Sequence, residues 1–188
     1  MAWIICIFAL LLGGCGQKSH ERHYMEIVDQ ASEVNTPGDT LTKNNVLNWV
    51  SPKGWREEAG TDMRLASFHQ VDDPAQIDCY IVALSGAAGG LDANLGRWMR
   101  QLGIEASGDD LKILINLAQT LKTKGGFEAR IFDFSALQTH GSSSDKSMLA
   151  AMISLGQTTI FVKMTGSIES VKQNKANFLK LIGSITRQ

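Results

Sequence analysis

Apolar residues fall along this chain in three regimes. Residues 3–14, Trp-Ile-Ile-Cys-Ile-Phe-Ala-Leu-Leu-Leu-Gly-Gly, form one apolar run. From Gly16 to about Asn44 polar side chains dominate, with a turn signal at Pro37-Gly38-Asp39. From Val46 onward apolar residues recur with the periods of strands and helices. A short strand is predicted at Val46–Val50 and a turn at Ser51-Pro52-Lys53-Gly54, with apolar character restarting at Trp55. The stretch Met63–Val71 alternates. It places Met63, Leu65, Ser67, His69 and Val71 on one face and the intervening residues on the other. Asp72-Asp73-Pro74 reads as a turn and Ile77–Leu84 as the returning strand of an antiparallel hairpin.

The second half of the domain brings in the helical period. After a connector, Ser85–Gly90, the residues Leu91, Leu95, Trp98, Met99 and Leu102 make one apolar stripe. Asp92 lies in the first turn of that helix and Gly103 is placed to end it. A second short helix is predicted from Asp109 to about Leu117. Lys124-Gly125-Gly126 joins Thr120–Thr123 to Phe127–Phe134 as a hairpin, and Leu155-Gly156-Gln157 joins Met148–Ser154 to Thr158–Met164 as another. Between them, 139–144 reads as a polar loop. Ser167 can cap a last helix whose stripe is Ile168, Val171, Phe178, Ile182 and Ile185. Antiparallel strands with segregated, one-faced helices give an α+β fold: an antiparallel β-sheet flanked by helices.

The opening apolar run is too short to cross a bilayer, which takes ~20 residues. It ends in two small residues followed by a cysteine. Leu12-Gly13-Gly14-Cys15 resembles the lipobox of bacterial lipoproteins. The resemblance implies cleavage between Gly14 and Cys15, transfer of diacylglycerol to the Cys15 thiol, and acylation of the new amine by a chain such as palmitate. The organisation expected is a signal peptide at 1–14, a polar tether at 15–44 and a globular domain at 45–188. Two or more acyl chains hold a domain on a membrane stably, where one alone binds only marginally. Gly16 stands where an aspartate commonly retains such proteins at the inner membrane. The implied address is the cell envelope, favouring the outer membrane facing the periplasm in a double-membraned organism.

Composition narrows the function. The 188 residues are 44% hydrophobic and carry a net charge of −1, so the chain can build one core and is not basic enough to favour nucleic acid. On the lipobox resemblance Cys6 is expected to leave with the signal and Cys15 to take lipid, which would leave Cys79 as a lone thiol in an apolar strand.

The segments Trp49-Val50-Ser51-Pro52-Lys53-Gly54-Trp55, Met63–Phe68, Gly89–Gly103 and Ile160–Gly166 resemble a family of uncharacterised bacterial lipoproteins with a PsbP-like (DcrB-like) domain. The resemblance covers roughly 46–186. It implies a sheet between helices and brings no established activity.

No nucleophile elbow, zinc motif or phosphate-loop signature occurs in the sequence. His20 and His23 fall in the tether, and His69 and His140 stand alone, so no metal and no cofactor are expected. Asn94 and Arg97 lie on the polar side of the first helix beside Trp98, with Trp49 and Trp55 earlier in the chain. Trp55, Asn94, Arg97 and Trp98 are the candidate recognition surface; the alternative is a solvated helix face over a core-packed Trp98. Lys163 is expected to face solvent, opposite Val162. The function expected is a non-catalytic envelope module, not an enzyme, that binds a protein or envelope component. A small-ligand binder with an apolar pocket between sheet and helices is the alternative.

Cys15→Ser is expected to abolish lipidation, because a serine oxygen cannot replace the thiolate. Metabolic palmitate labelling and fractionation after a salt wash measure this. A variant that still takes up label and resists extraction like the parent overturns the lipobox assignment.

Overall fold

A computed structural model describes residues 47–187, except 62, 75, 106 and 141–144. The proposed signal at 1–14, Gly14, Cys15 and the 15–44 stretch lie outside the described residues.

The strands are β1 (Leu47–Asn48), β2 (Trp55–Ala59), β3 (Arg64–Gln70), β4 (Ile77–Ser85), β5 (Gln119–Lys122), β6 (Glu128–Asp133), β7 (Lys146–Ser154), β8 (Thr158–Ser167) and β9 (Thr186–Arg187). The helices are α1 (Leu91–Gln101), α2 (Gly108–Leu117) and α3 (Ile168–Gly183), with a 3-10 segment at Phe134–His140. Seven strands form one antiparallel sheet in the order β2-β3-β4-β8-β7-β6-β5, and β1 pairs separately with β9. The expected antiparallel sheet with helices is what the chain builds. All three expected hairpins, β3–β4, β5–β6 and β7–β8, are present.

Period-2 alternation on the central strands splits the core in two. Leu149, Ala151 and Ile153 of β7 and Ile160, Val162 and Met164 of β8 pack with Val171, Phe178 and Ile182 of α3. Met148 and Ala150 of β7 and Phe161 of β8 pack on the other side, with Leu95, Trp98 and Met99 of α1 and Leu114 of α2. The helix ends follow their sequence signals. Gly103 takes a φ of +72°, and the amides of Gly103 and Ile104 reach back to Arg100 O and Met99 O, closing a Schellman motif after α1. Ser107 and Asp110 form a capping box at α2, and Ser167 accepts from the Ser170 amide at α3.

Four expectations are corrected. Of the strand expected at 46–50, Leu47–Asn48 pair with β9, an unpredicted strand, while 49 and 50 are not in it; the last helix ends at Gly183 and Ile185 is buried beyond it. Trp55–Ala59 is an edge strand paired with β3, hidden in sequence by the charges Arg56, Glu57 and Glu58. The stretch from Phe134 coils into the 3-10 segment instead of extending the hairpin. The alternation of 63–71 is broken between Arg64 and Ala66 by a bulge. There Leu65 turns toward the Phe68 side of the core, and Arg64 bonds Ser67 on the opposite face. The turn that delivers this bulge needs glycine at 60, where a Cβ would lie 1.8 Å from Arg64 O.

Phe178→Ala removes a fully buried ring from α3 and is expected to cost about 3–5 kcal/mol. Leu117→Ala, at a site 60% exposed, is expected to stay within about 0.5 kcal/mol of the parent. Urea denaturation of both variants checks the assignment of α3 as the core helix.

Candidate functional site

The helices do not cover the sheet evenly. α1 and α2 lie over the β8-β7-β6 side of the second face. Next to them, the same face of β2, β3 and β4 carries Arg56, Glu58, Ser67, His69, Asp78 and Tyr80, the residues that alternate with core positions. There Arg56, Glu58, Arg64 and Asp78 keep between 36% and 55% of their side-chain surface exposed. Among the described residues no helix seals this half.

The groups on it are tied to one another. Arg64 forks onto Asp78, with its Nη1 3.1 Å from Oδ1 and its Nη2 3.2 Å from Oδ2. Its guanidinium lies 3.9 Å from the centroid of the Tyr80 ring, a cation–π stack that fixes both. Glu58 meets Arg56 at 3.2 Å and His69 Nε2 at 3.5 Å. Burial raises the Tyr80 pKa.

Lys163 marks the border between the covered and open halves. It is paired across the sheet with Tyr80 and is only 6% exposed. This corrects the expectation of a solvent-facing lysine. Its Nζ donates to Gln101 Oε1 at 2.7 Å, at the last residue of α1, and lies 5.5 Å from the Tyr80 centroid and 5.9 Å from that of Trp98. Burial is the main cause that lowers its pKa, to about 8. Asp78 opposes that shift, while Arg97 and Arg64 add to it.

The four candidate surface residues do not form one surface. Trp55 belongs to the α3-side core, where its indole N–H donates to Asn174 Oδ1 at 3.0 Å. Trp98 lies in the other core, edge-on to Phe134 and Phe161. The two are on opposite faces of the sheet, which sequence proximity could not reveal. Asn94 is 2% exposed, and its amide donates to Ala88 O and Gly90 O, holding the loop before α1. Arg97 is exposed and donates to Asn94 Oδ1. Only Arg97 of the four is at the surface, and Trp98 reaches the site as the ring beside Lys163. The Ser85–Gly90 connector is held in place: the Gly86 amide donates to Gln157 O, and Thr159 Oγ1 donates to Gly86 O at 2.7 Å.

A concavity lies on the other face. A cleft of about 340 Å3 is lined by Asp133, Ser135, Leu149, Ile168, Val171, Lys172 and Lys175. Lys175 bridges to Asp133 at 2.8 Å, and Ser135 donates to the same carboxylate from its hydroxyl and its amide. These bonds outweigh burial and lower the Asp133 pKa. None of the tryptophans lines this cleft. Cys79 is fully buried on β4, and burial, with Asp78 adding to it, pushes its pKa well above the usual thiol value. Among the described residues no group of three or more His, Cys, Asp or Glu is placed to hold a metal, and no helix is long and apolar enough to cross a membrane.

No family model matches the chain, and no curated protein matches it in sequence. Among solved structures it is similar to one from Bacteroides thetaiotaomicron VPI-5482, with a TM-score of 0.43 and 14% identity. That match covers 76% of this chain, which spans only 45% of the length of the Bacteroides structure. It is similar to cyanobacterial PsbP from Synechocystis sp. PCC 6803, with a TM-score of 0.44 and 13% identity over 76% of this chain and 93% of that one. It is also similar to LpqN, involved in cell envelope biogenesis of Mycobacterium tuberculosis, with a TM-score of 0.46 and 12% identity over 76% and 83% of the two chains. A PsbP is thus among the solved structures it is similar to.

The Lys163 environment has a pH signature. The folded chain releases this proton near pH 8, and the unfolded chain holds it to the ordinary lysine value of 10.5. Between those values the unfolded state binds the extra proton, so the contribution of Lys163 to stability rises with pH. Cys79 and Tyr80, with raised values, act in the opposite sense, and both remain in Lys163→Met. That variant is expected to exceed the parent in stability at pH 7 by on the order of 1 kcal/mol, with the difference shrinking between pH 8 and 10. Urea denaturation across the pH series measures it, and a difference independent of pH refutes the assignment.

Proposed function

We propose that this chain is a lipid-anchored module of the bacterial cell envelope that binds a partner and does not catalyse, using the open polar half of its sheet. The anchor rests on Leu12-Gly13-Gly14-Cys15 and the polar stretch after it. The motifs quoted above support membership of the lipoprotein family they resemble. The binding surface rests on one observation: a nearly buried lysine at the border of an uncovered sheet face whose other charged groups are already fixed in pairs. Side chains so held lose little freedom when a partner docks. Groups engaged with each other also suit recognition better than proton transfer, which needs an acid or base able to exchange its partner.

The cleft beside α3 favours a second reading, a small-ligand binder. Its volume of about 340 Å3 is at the lower end of known ligand sites. It combines the apolar Leu149, Ile168 and Val171 with the charged Asp133, Lys172 and Lys175. That is a pocket between sheet and helix, away from the tryptophans.

Photocrosslinking in intact envelopes separates the readings. A photoreactive side chain at Glu58, on the open half, is expected to give a discrete adduct, and one at Lys180, on the exposed side of α3, is not. A discrete adduct from Lys172 alone moves the binding site to the cleft. The same diffuse pattern from every position counts against a binding module.

A further inference from the structure

Helical spacing puts Ile168, Val171, Lys172 and Lys175 on one stripe of α3, at i, i+3, i+4 and i+7. All four line the cleft of about 340 Å3, together with Leu149 of β7 and with Asp133 and Ser135 where β6 passes into the 3-10 segment. The stripe changes character along its length. It opens with Ile168, a large apolar side chain left 39% exposed, and its apolar neighbours in the cleft, Val171 and Leu149, are almost fully buried. It ends in two lysines, which are adjacent because they stand three residues apart on one helix.

The charges in the cleft do not cancel. Asp133 accepts from Lys175 Nζ at 2.8 Å, and from the hydroxyl and the amide of Ser135 at 2.6 and 3.0 Å. Lys175 spends one of its three ammonium donors on that bond. Among the described residues Lys172 has no hydrogen-bond or ion-pair partner. Two lysines thus face one carboxylate beside an apolar wall. We infer that this cleft binds a small aliphatic carboxylate, with the carboxylate between Lys172 and Lys175 and the hydrocarbon body against Ile168, Val171 and Leu149. One unbalanced positive charge matches a monoanion, and a second negative charge would meet the carboxylate of Asp133. The volume restricts the body to a short chain. The inference rests on the second reading proposed above, a small-ligand cleft beside α3, and names its ligand class. The polar sheet face, on the other side of the sheet, is independent of it.

The test follows the methyl resonances of Leu149, Ile168 and Val171 by NMR. The full-length chain in detergent micelles is titrated with hexanoate, butanoate and hexanamide. Hexanoate is expected to shift these methyls saturably. Butanoate, two methylenes shorter, should bind about tenfold more weakly. Hexanamide, equal in length and uncharged, should also lose about tenfold. Lys172 and Lys180 are both exposed, so both glutamine variants should fold. Lys172→Gln should weaken hexanoate about fivefold. Lys180→Gln, on the same helix and outside the cleft lining, should leave it unchanged. Hexanoate that shifts none of the methyls overturns the inference, and if hexanamide shifts none either, the cleft reading falls with it. Hexanamide that binds as tightly as hexanoate, or hexanoate that binds Lys172→Gln as it binds the parent, overturns the carboxylate and leaves a small-ligand cleft standing. An equal loss in Lys180→Gln assigns the effect to the general charge of α3 and also overturns the inference.

Discussion

The two central strands of this sheet must leave water on both faces. β7 and β8 carry buried apolar residues at successive positions, Met148 to Ala151 on one and Ile160 to Val162 on the other. A strand of that kind is stable only between two layers. α3 supplies the first layer, and α1, α2 and the 3-10 segment supply the second. Two short helices do not reach across seven strands, so the far side of β2, β3 and β4 has to be polar. Among the described residues the open face is therefore a by-product of how much helix packs on the sheet, and its location is set by where α1 stops.

Lys163 sits where these two requirements collide. Its backbone belongs to a strand that must be dry, and its side chain lies under the last turn of α1. A long aliphatic stem resolves the conflict, since it packs like a hydrophobe while carrying its charge toward the polar side. The bulge at Arg64 serves the same boundary from the other direction. It moves a guanidinium off the core face and onto Asp78 and Tyr80. On the opposite layer, Asn174 does comparable work with neutral groups, accepting from Trp55 and Gln70 and donating to Ser170 O, so that α3 is keyed to the β2–β3 edge.

Much of this architecture was legible from local pattern. The stripe Leu95, Trp98, Met99 and Leu102, the Ser167 cap, Gly103 and the glycine-marked hairpins are all short-range signals, and each appears where the pattern placed it. The failures have two causes. β9 exists because the distant β1 pairs with it, β2 is the charged first arm of a local hairpin with β3, and their own residues, Thr-Arg and Arg-Glu-Glu, do not announce a strand. Trp55 and Trp98 look alike in sequence, and the sheet puts them in different cores. The bulge inverted two side chains that strict alternation assigned. One signal for Lys163 was present: a single lysine inside the apolar run Ile160-Phe161-Val162-Lys163-Met164 sits in a strand apolar on both faces, so solvent was never its default surrounding.

The sheet is open, with β2 and β5 as its two margins. A margin strand displays a row of unpaired amides and carbonyls to which another chain can add. β5 is only four residues long and ends in Lys122, and β2 packs Arg56, Glu57 and Glu58 into five positions. Incoming backbone would have to bring complementary charges into register along β2 and would gain few bonds from β5. Each margin is thus a poor template on which a second copy of this domain could extend the sheet.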